Sequence, residues 1–286
     1  MSSPCRHPAA ATNPKRSGVR RAQSSDGARP VAATDEAVVT RDSATLCPVH
    51  PVLLIRNDRY ESFGVAVPAL AWAGVDVRTV NAKAGVELPP VDAVAGVIAF
   101  GGTANVDQVH DHPHLGMVRD YVRRVVGAGI PFLGICLGSQ ILARALDLQV
   151  SRAPVREVGF EPIRPTHVAK DDPLLSLLVD GDMVLQWHED THELPAGAVL
   201  LATGDQVAVQ AYRVGAVAWG IQFHLEVDAI ELGWWLEIAD GEADLEREWG
   251  KSADQIRAEA ARFMPAQEER GREIFRRFAG IVRAAG

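Results

Sequence analysis

A doubly wound, mostly parallel α/β sheet flanked by helices is the fold class this sequence predicts, and three observations predict it. Short, wholly apolar runs ("PVLLIRND", "VAGVIAFGG", "IPFLGIC") close on polar or glycine residues, as strands buried on both faces do. Segments with helical spacing lie between these runs, and such alternation reads as strand-helix-strand units. The chain of 286 residues, 47% hydrophobic, is long enough to bury one large core.

Each element follows in order. The run 52–55 is the first strand, residues 60–73 read as a helix stopped by Gly74, and "VDVRTV" is the second strand. "VAGVIAFGG" is a third, ending at Gly101 and Gly102. "LGMVRDYVRRVVGAG" places Leu115, Val118, Tyr121, Val122, Val125 and Val126 on one helical face, stopped by Gly127 and Gly129. "IPFLGIC" returns as a strand. The second half reads as short strands, some antiparallel: "REVGFEPIRP", "DMVLQWHED", "AVLLAT", "VAVQAYRV" and "VAWGIQFH". "DDPLLSLLVDGD" reads as a capped helical insert starting near Asp171 or Asp172. Three helices close the chain, "DAIELGWWLEIA", "SADQIRAEAARFM" and "PAQEERGREIFRRFAGIVRAA"; in the last, Ile274, Phe275, Phe278, Ile281 and Val282 form an apolar stripe. The expected organisation is a disordered tail over 1–48, one domain over 49–240, and a helical extension over 241–286 packed on it. The tail is rich in Pro, Ala, Ser and Arg without apolar periodicity. Its Arg-rich, acid-poor composition also resembles an organellar transit peptide; a flexible or misassigned start is the favoured reading.

Composition excludes several function classes. A net charge of −8 offers no field for nucleic acid or an anionic membrane surface. No apolar run approaches the roughly 20 residues of a membrane span. Cys5, Cys47 and Cys136 are odd in number and widely spaced, so they fit neither a disulfide framework nor a CxxC metal clip, and a reducing cytoplasm is the expected setting.

Cys136 carries the chemistry. Gly134-Ile135-Cys136-Leu137-Gly138 is GxCxG, the cysteine form of the elbow in which a strand turns sharply into a helix. Glycines are needed because flanking side chains would clash in so tight a turn. The elbow lifts the sulfur to the carboxyl edge of the sheet, where open α/β sheets bind ligands. A thiolate attacking a carbonyl needs a base, an orienter and an oxyanion hole. "GIQFHLEV" ends a strand with His224 and Glu226 two residues apart, hence on the same face. His224 can take the thiol proton while Glu226 fixes its tautomer. The Gly101-Gly102 strand end, with the Leu137 amide, can supply oxyanion donors.

Together "GICLGSQ", "QFHLEV", "FGGT" and "LQWHEDT" resemble the class I glutamine amidotransferase domain, and most closely the stand-alone group similar to the amidotransferase half of GMP synthase. The resemblance spans about 49–239 and implies the flavodoxin-like fold of that family. It implies that Cys136 attacks the glutamine side-chain amide, releasing ammonia through a γ-glutamyl thioester. His224 and Glu226 match the other triad positions, Gly102 and Leu137 the oxyanion donors, and Gln140 the glutamine contact. The stretch around His188 and Glu189 matches the one whose backbone contacts substrate, and Gly101 belongs to the same Gly-Gly pair. No metal or cofactor is called for. Two departures stand out: the family usually has proline where this chain has Thr103 and Leu225. They bear on positioning and rate rather than on the reaction.

No GxxxxGK[ST] loop or synthetase-like stretch follows the glutaminase region, so either a separate synthase chain receives the ammonia or the protein acts alone, and activity in this family is often latent until an acceptor subunit is engaged. The alternatives are a γ-glutamyl hydrolase using the same triad and a non-catalytic regulatory module. Leu137, where γ-glutamyl hydrolases tend to carry arginine, disfavours the first; retention of the whole residue set disfavours the second. His110, Asp111, His112 and His114 read as a polar loop rather than a zinc site, because such adjacent spacing rarely gives tetrahedral geometry. Trp187, Trp219, Trp234 and Trp235 read as core or pocket wall. "LEREWGKSADQIRAEAARF" reads as a solvated, mixed-charge face.

Overall fold

Val52 and Leu54 point into one core and Leu53 and Ile55 into another, which is why the first strand reads as an unbroken apolar run. A computed structural model describes residues 50–58, 62–242 and 245–286. The expectation for the 1–48 tail, with Cys5 and Cys47, lies outside them. Among the described residues, nine strands form one sheet: β1 (Val52–Arg56), β2 (Val77–Asn81), β3 (Gly96–Ala99), β4 (Phe132–Ile135), β5 (Val150–Pro165), β6 (Asp182–His192), β7 (Val199–Thr203), β8 (Ala211–Val214) and β9 (Ala218–Ile221), in the order β2-β1-β3-β4-β9-β8-β7-β5-β6. The strands from β2 to β9 in that order pair in parallel, and those from β9 to β6 pair antiparallel. This is the mixed α/β fold with antiparallel strands in the second half that the sequence predicts.

Among the described residues, six α-helices accompany the sheet: α1 (Ala66–Trp72), α2 (Pro113–Gly127), α3 (Leu137–Ala145), α4 (Ala229–Glu242), α5 (Leu245–Trp249) and α6 (Ala253–Ala285). One face is covered by α1 and α6, through Ala69, Leu70, Phe275 and Phe278. The other is covered by α2 and α3, through Leu115, Val118, Ile141 and Leu142. A third cluster joins β5 and β6 to α4 and α6 through Phe160, Leu185, Leu236 and Met264. Because β3, β4 and β9 are parallel neighbours, the residues following each of them meet at one edge of the sheet.

Three expectations are corrected. The helix read over 60–73 begins only at Ala66, because Phe63 (φ 73°) and Gly64 (φ 42°) form a left-handed turn first. At Gly64 an added Cβ would lie 1.9 Å from the Glu226 carbonyl oxygen, so this turn brings the chain against the segment after β9. The insert at 171–182 is a short 3-10 turn over Ala169–Asp171 followed by further turns. Asp172 does cap, accepting the Leu174 and Leu175 amides at 2.9 and 3.0 Å, but its carboxylate is also held by Trp219 Nε1 and Arg213 Nε, and Leu174, Leu175 and Leu178 all turn into the core. The two last helices are one, because Pro265 does not interrupt α6. The proline penalty of ~3 kcal/mol is outweighed by the buried stripe from Ile256 through Met264, Ile274, Phe275 and Phe278 to Val282. Ser252 and Gln255 close its N-terminus as a reciprocal capping box.

Candidate active site

The strand β4 leads directly into the elbow. Cys136 has φ 50° and ψ −110°, a conformation reserved for strained turns, and it occupies the N-cap position of α3. Its amide donates to the Ile221 carbonyl at 2.8 Å, tying the elbow to β9. The two glycines have separate steric reasons. A Cβ on Gly134 would sit 2.4 Å from the Gly138 carbonyl oxygen, and one on Gly138 would sit 1.9 Å from that of Ala99.

Beyond β9, His224 is placed by its amide, which donates to the Leu185 carbonyl at 2.8 Å. Its Nδ1 donates to Glu226 Oε1 at 2.7 Å, since a carboxylate only accepts, and this leaves Nε2 free of that bond, while the Cys136 sulfur lies 3.9 Å from the Trp187 carbonyl oxygen. The three side chains are buried, Cys136 at 6%, His224 at 3% and Glu226 at 2% exposure. Burial opposes charging the imidazole, but the Glu226 carboxylate and the Cys136 sulfur outweigh it and hold His224 well above its ordinary value. Glu226→Gln removes the larger of these attractions. The His224 pKa is expected to fall, a shift read by NMR titration of the ring; a value unmoved by the substitution would contradict this electrostatic account.

A cavity of about 290 Å³ opens on Cys136. Gly102, Leu137, Gln140, His188 and Glu189 line it together with Cys136 and His224, whereas Gly101 is buried behind the lining. Among the described residues, neither the Gly102 nor the Leu137 amide donates to a loop or turn carbonyl. Gln140 Nε2 reaches the Asp190 carbonyl at 3.4 Å and Gln222 Oε1 at 3.3 Å. His188 forms a buried cross-strand pair with Glu157, Nε2 to Oε2 at 2.8 Å. Glu189 is gripped by Arg152, with Arg156 beside it at 2.9 Å; the Arg152 bond, outweighing partial burial, holds the carboxyl below its ordinary range.

Both departures from proline have local counterparts. Thr103 donates to Asp58 Oδ2 from its amide (3.2 Å) and hydroxyl (2.6 Å), and proline has no amide hydrogen to give. Leu225 is buried in the core, and its carbonyl lies against α6, where a Cβ on Gly271 would come within 2.0 Å of it. Gln267 on the same helix, fully buried, accepts the Leu185 amide at 2.6 Å and donates to the Val227 carbonyl at 3.3 Å. The helix α6 thus supports the His224–Glu226 segment from behind, a role sequence reading missed because nothing local marks it.

Other residues fall into place. Asn105 also lines the cavity and donates to Asp190 Oδ2 at 2.7 Å. Trp187 and Trp235 are cavity wall, Trp219 is core, and Trp234 is exposed. Trp249, read as part of a solvated face, instead lines the cavity. In the histidine-rich loop, His112 flanks α2 and His114 is buried with Nε2 3.2 Å from the Asn57 carbonyl; burial lowers the His114 pKa. Among the described residues, no group of three His, Cys, Asp or Glu is arranged to hold a metal ion, and no helix is long and apolar enough to cross a membrane.

The family model for glutamine amidotransferase class-I matches residues 60–233, and the chain belongs to that family. It is 30% identical to the glutamine amidotransferase-like protein YfeJ of Salmonella typhimurium, over 60% of this chain and 76% of that protein. It is 29% identical to one subunit of the glutamine-hydrolysing GMP synthase of Sulfolobus acidocaldarius, over 58% of this chain and 85% of the relative. A 38% match to the GMP synthase of Bacteroides fragilis covers only 19% of that protein. Among solved structures, a glutamine amidotransferase from Thermotoga maritima superposes with a TM-score of 0.72 at 26% identity, over 81% of this chain and 98% of the other.

Proposed function

We propose that the chain hydrolyses the side-chain amide of glutamine through Cys136 and supplies the ammonia to a separate acceptor chain. The observation that carries this reading is the elbow geometry of Cys136 combined with the His224–Glu226 pair at 2.7 Å. His224, held protonated by Glu226 and the sulfur, keeps the thiol proton on its ring, and the thiolate adds to the amide carbon. The Gly102 and Leu137 amides receive the developing oxyanion. His224 then protonates the departing nitrogen, ammonia leaves, and a γ-glutamyl thioester remains. Water, deprotonated by His224, adds to the thioester; the C–S bond breaks, and the proton stays on His224 beside the thiolate with release of glutamate. Glu226 holds the ring throughout, and Gln140, with the strand at His188 and Glu189, holds the glutamyl part.

That the chain works with a partner rather than as a self-sufficient synthase is supported by the Sulfolobus relative, which is itself one subunit of a GMP synthase. A reducing cytoplasm suits a site built on one thiol. The test is glutamate release from glutamine by the wild type beside Cys136→Ala. The variant is expected to lose several orders of magnitude, because such triads act as a unit. Equal glutamate release by both proteins would overturn the assignment and leave the activity to a different site.

A further inference from the structure

The cavity at Cys136 has two unlike walls. Asn105, Gln140 and Asp190 make a polar wall, and Trp187, Trp235, Ile238 and Trp249 make an aromatic one. The aromatic wall begins at the catalytic imidazole. Trp235 meets the His224 ring edge to face at 5.0 Å, Trp187 meets Trp235 at 5.8 Å, and Trp249 meets Trp187 at 6.3 Å. Ile238 and Trp235 come from α4 and Trp249 from α5, so the wall is contributed largely by chain that follows the His224–Glu226 segment.

Its position relative to the chemistry assigns it a role. The imidazole that holds the thiol proton gives it to the departing nitrogen, so the leaving amine lies on the His224 side of the scissile carbonyl. Ammonia is small and polar and gains nothing from three indole faces. An apolar or aromatic group on that nitrogen would be buried by them. We propose that the site accepts N-substituted γ-glutamyl amides whose amine carries an apolar or aromatic group, with the substituent on the wall formed by Trp187, Trp235 and Trp249. The inference rests on the thioester reading above. Sulfur adds to the γ-carbonyl carbon, the C–N bond breaks, and the His224 proton goes to the nitrogen. The free amine departs, and water then converts the thioester to glutamate, returning the thiolate. The polar wall serves the glutamyl part unchanged, whatever the amine.

Trp249 is the wall residue best suited to a test. It touches Trp187 rather than His224, is partly exposed, and carries the Arg156 guanidinium 5.2 Å from its ring centre. The experiment compares kcat/KM for γ-glutamylbenzylamide and γ-glutamylmethylamide, with glutamine run in parallel. The wild type is expected to favour the benzylamide by at least about tenfold. Trp249→Ala is expected to reduce that ratio several-fold, and Trp249→Phe, which keeps an aromatic face, to restore most of it. A wild-type ratio near one with glutamine hydrolysed would overturn this inference and leave the thioester reading standing, as would a ratio that Trp249→Ala does not change. Hydrolysis of none of the three substrates by folded protein would overturn both.

Discussion

Gly138→Ala is expected to destroy the site and much of the stability with it. The added methyl would lie 1.9 Å from the Ala99 carbonyl oxygen and 2.7 Å from its carbon, contacts with β3 backbone that no side-chain rotation relieves. Either α3 lifts away from β3, carrying Cys136 and the Leu137 amide with it, or β3 shifts. Both routes exceed ordinary overpacking, so the loss of stability should be more than about 3 kcal/mol. Urea unfolding measures it. Whatever folded fraction remains should release glutamate at less than about a hundredth of the wild-type rate, since a displacement near 1 Å costs that much. A variant of wild-type stability and rate would show that the elbow does not need this close approach.

The second large effect lies more than 130 residues along the chain from Cys136. Gly271→Ala introduces a good helix former into α6, a gain of up to about 1 kcal/mol in isolation. Here its methyl would press within 2.0 Å of the Leu225 carbonyl, the residue between His224 and Glu226. The expected outcome is a kcat lowered roughly a hundredfold with KM changed little, because Gln140, Asn105 and Asp190 stand on other elements. The pH profile should shift as well, since displacing Glu226 removes what holds the His224 pKa up. A purely structural helix would leave both the profile and kcat unchanged in the folded protein. Gln267→Leu is expected to act in the same direction, as it strips the Leu185 amide and the Val227 carbonyl of their partner.

How far the sequence revealed the site follows from the range of the signals involved. The elbow is legible because its glycines lie within two residues of Cys136; the His224–Glu226 pair reads as a strand end, yet β9 stops at Ile221 and the pair lies in the bends beyond it, with His224 held by an isolated bridge to Leu185. The meeting of these two pieces follows from strand order, since β4 and β9 are neighbours. Gln267 and Gly271 carry no such mark. One reads as a polar residue on a charged helix and the other as a weak helix position, and only the packing of α6 against Leu185 and Leu225 gives them meaning. Trp249 sits in a stretch of charges whose local pattern is that of a solvated surface, yet its ring turns inward to Trp187. Pro265 misleads in the opposite sense: its local penalty is real, and a stripe of buried side chains running the length of α6 overrides it. The turn at Phe63 and Gly64 follows the same rule, because its reason is the Glu226 carbonyl it packs against.

The central claim is that Cys136 becomes covalently acylated, and the most direct measurement is capture of that acyl group. Protein mixed with glutamine, quenched in acid and digested, should yield the Cys136 peptide carrying a γ-glutamyl mass that hydroxylamine removes, with no such adduct in Cys136→Ala. Glutamate accumulating from wild-type protein while the Cys136 peptide stays unmodified at every quench time, or an adduct on a different residue, would contradict the account.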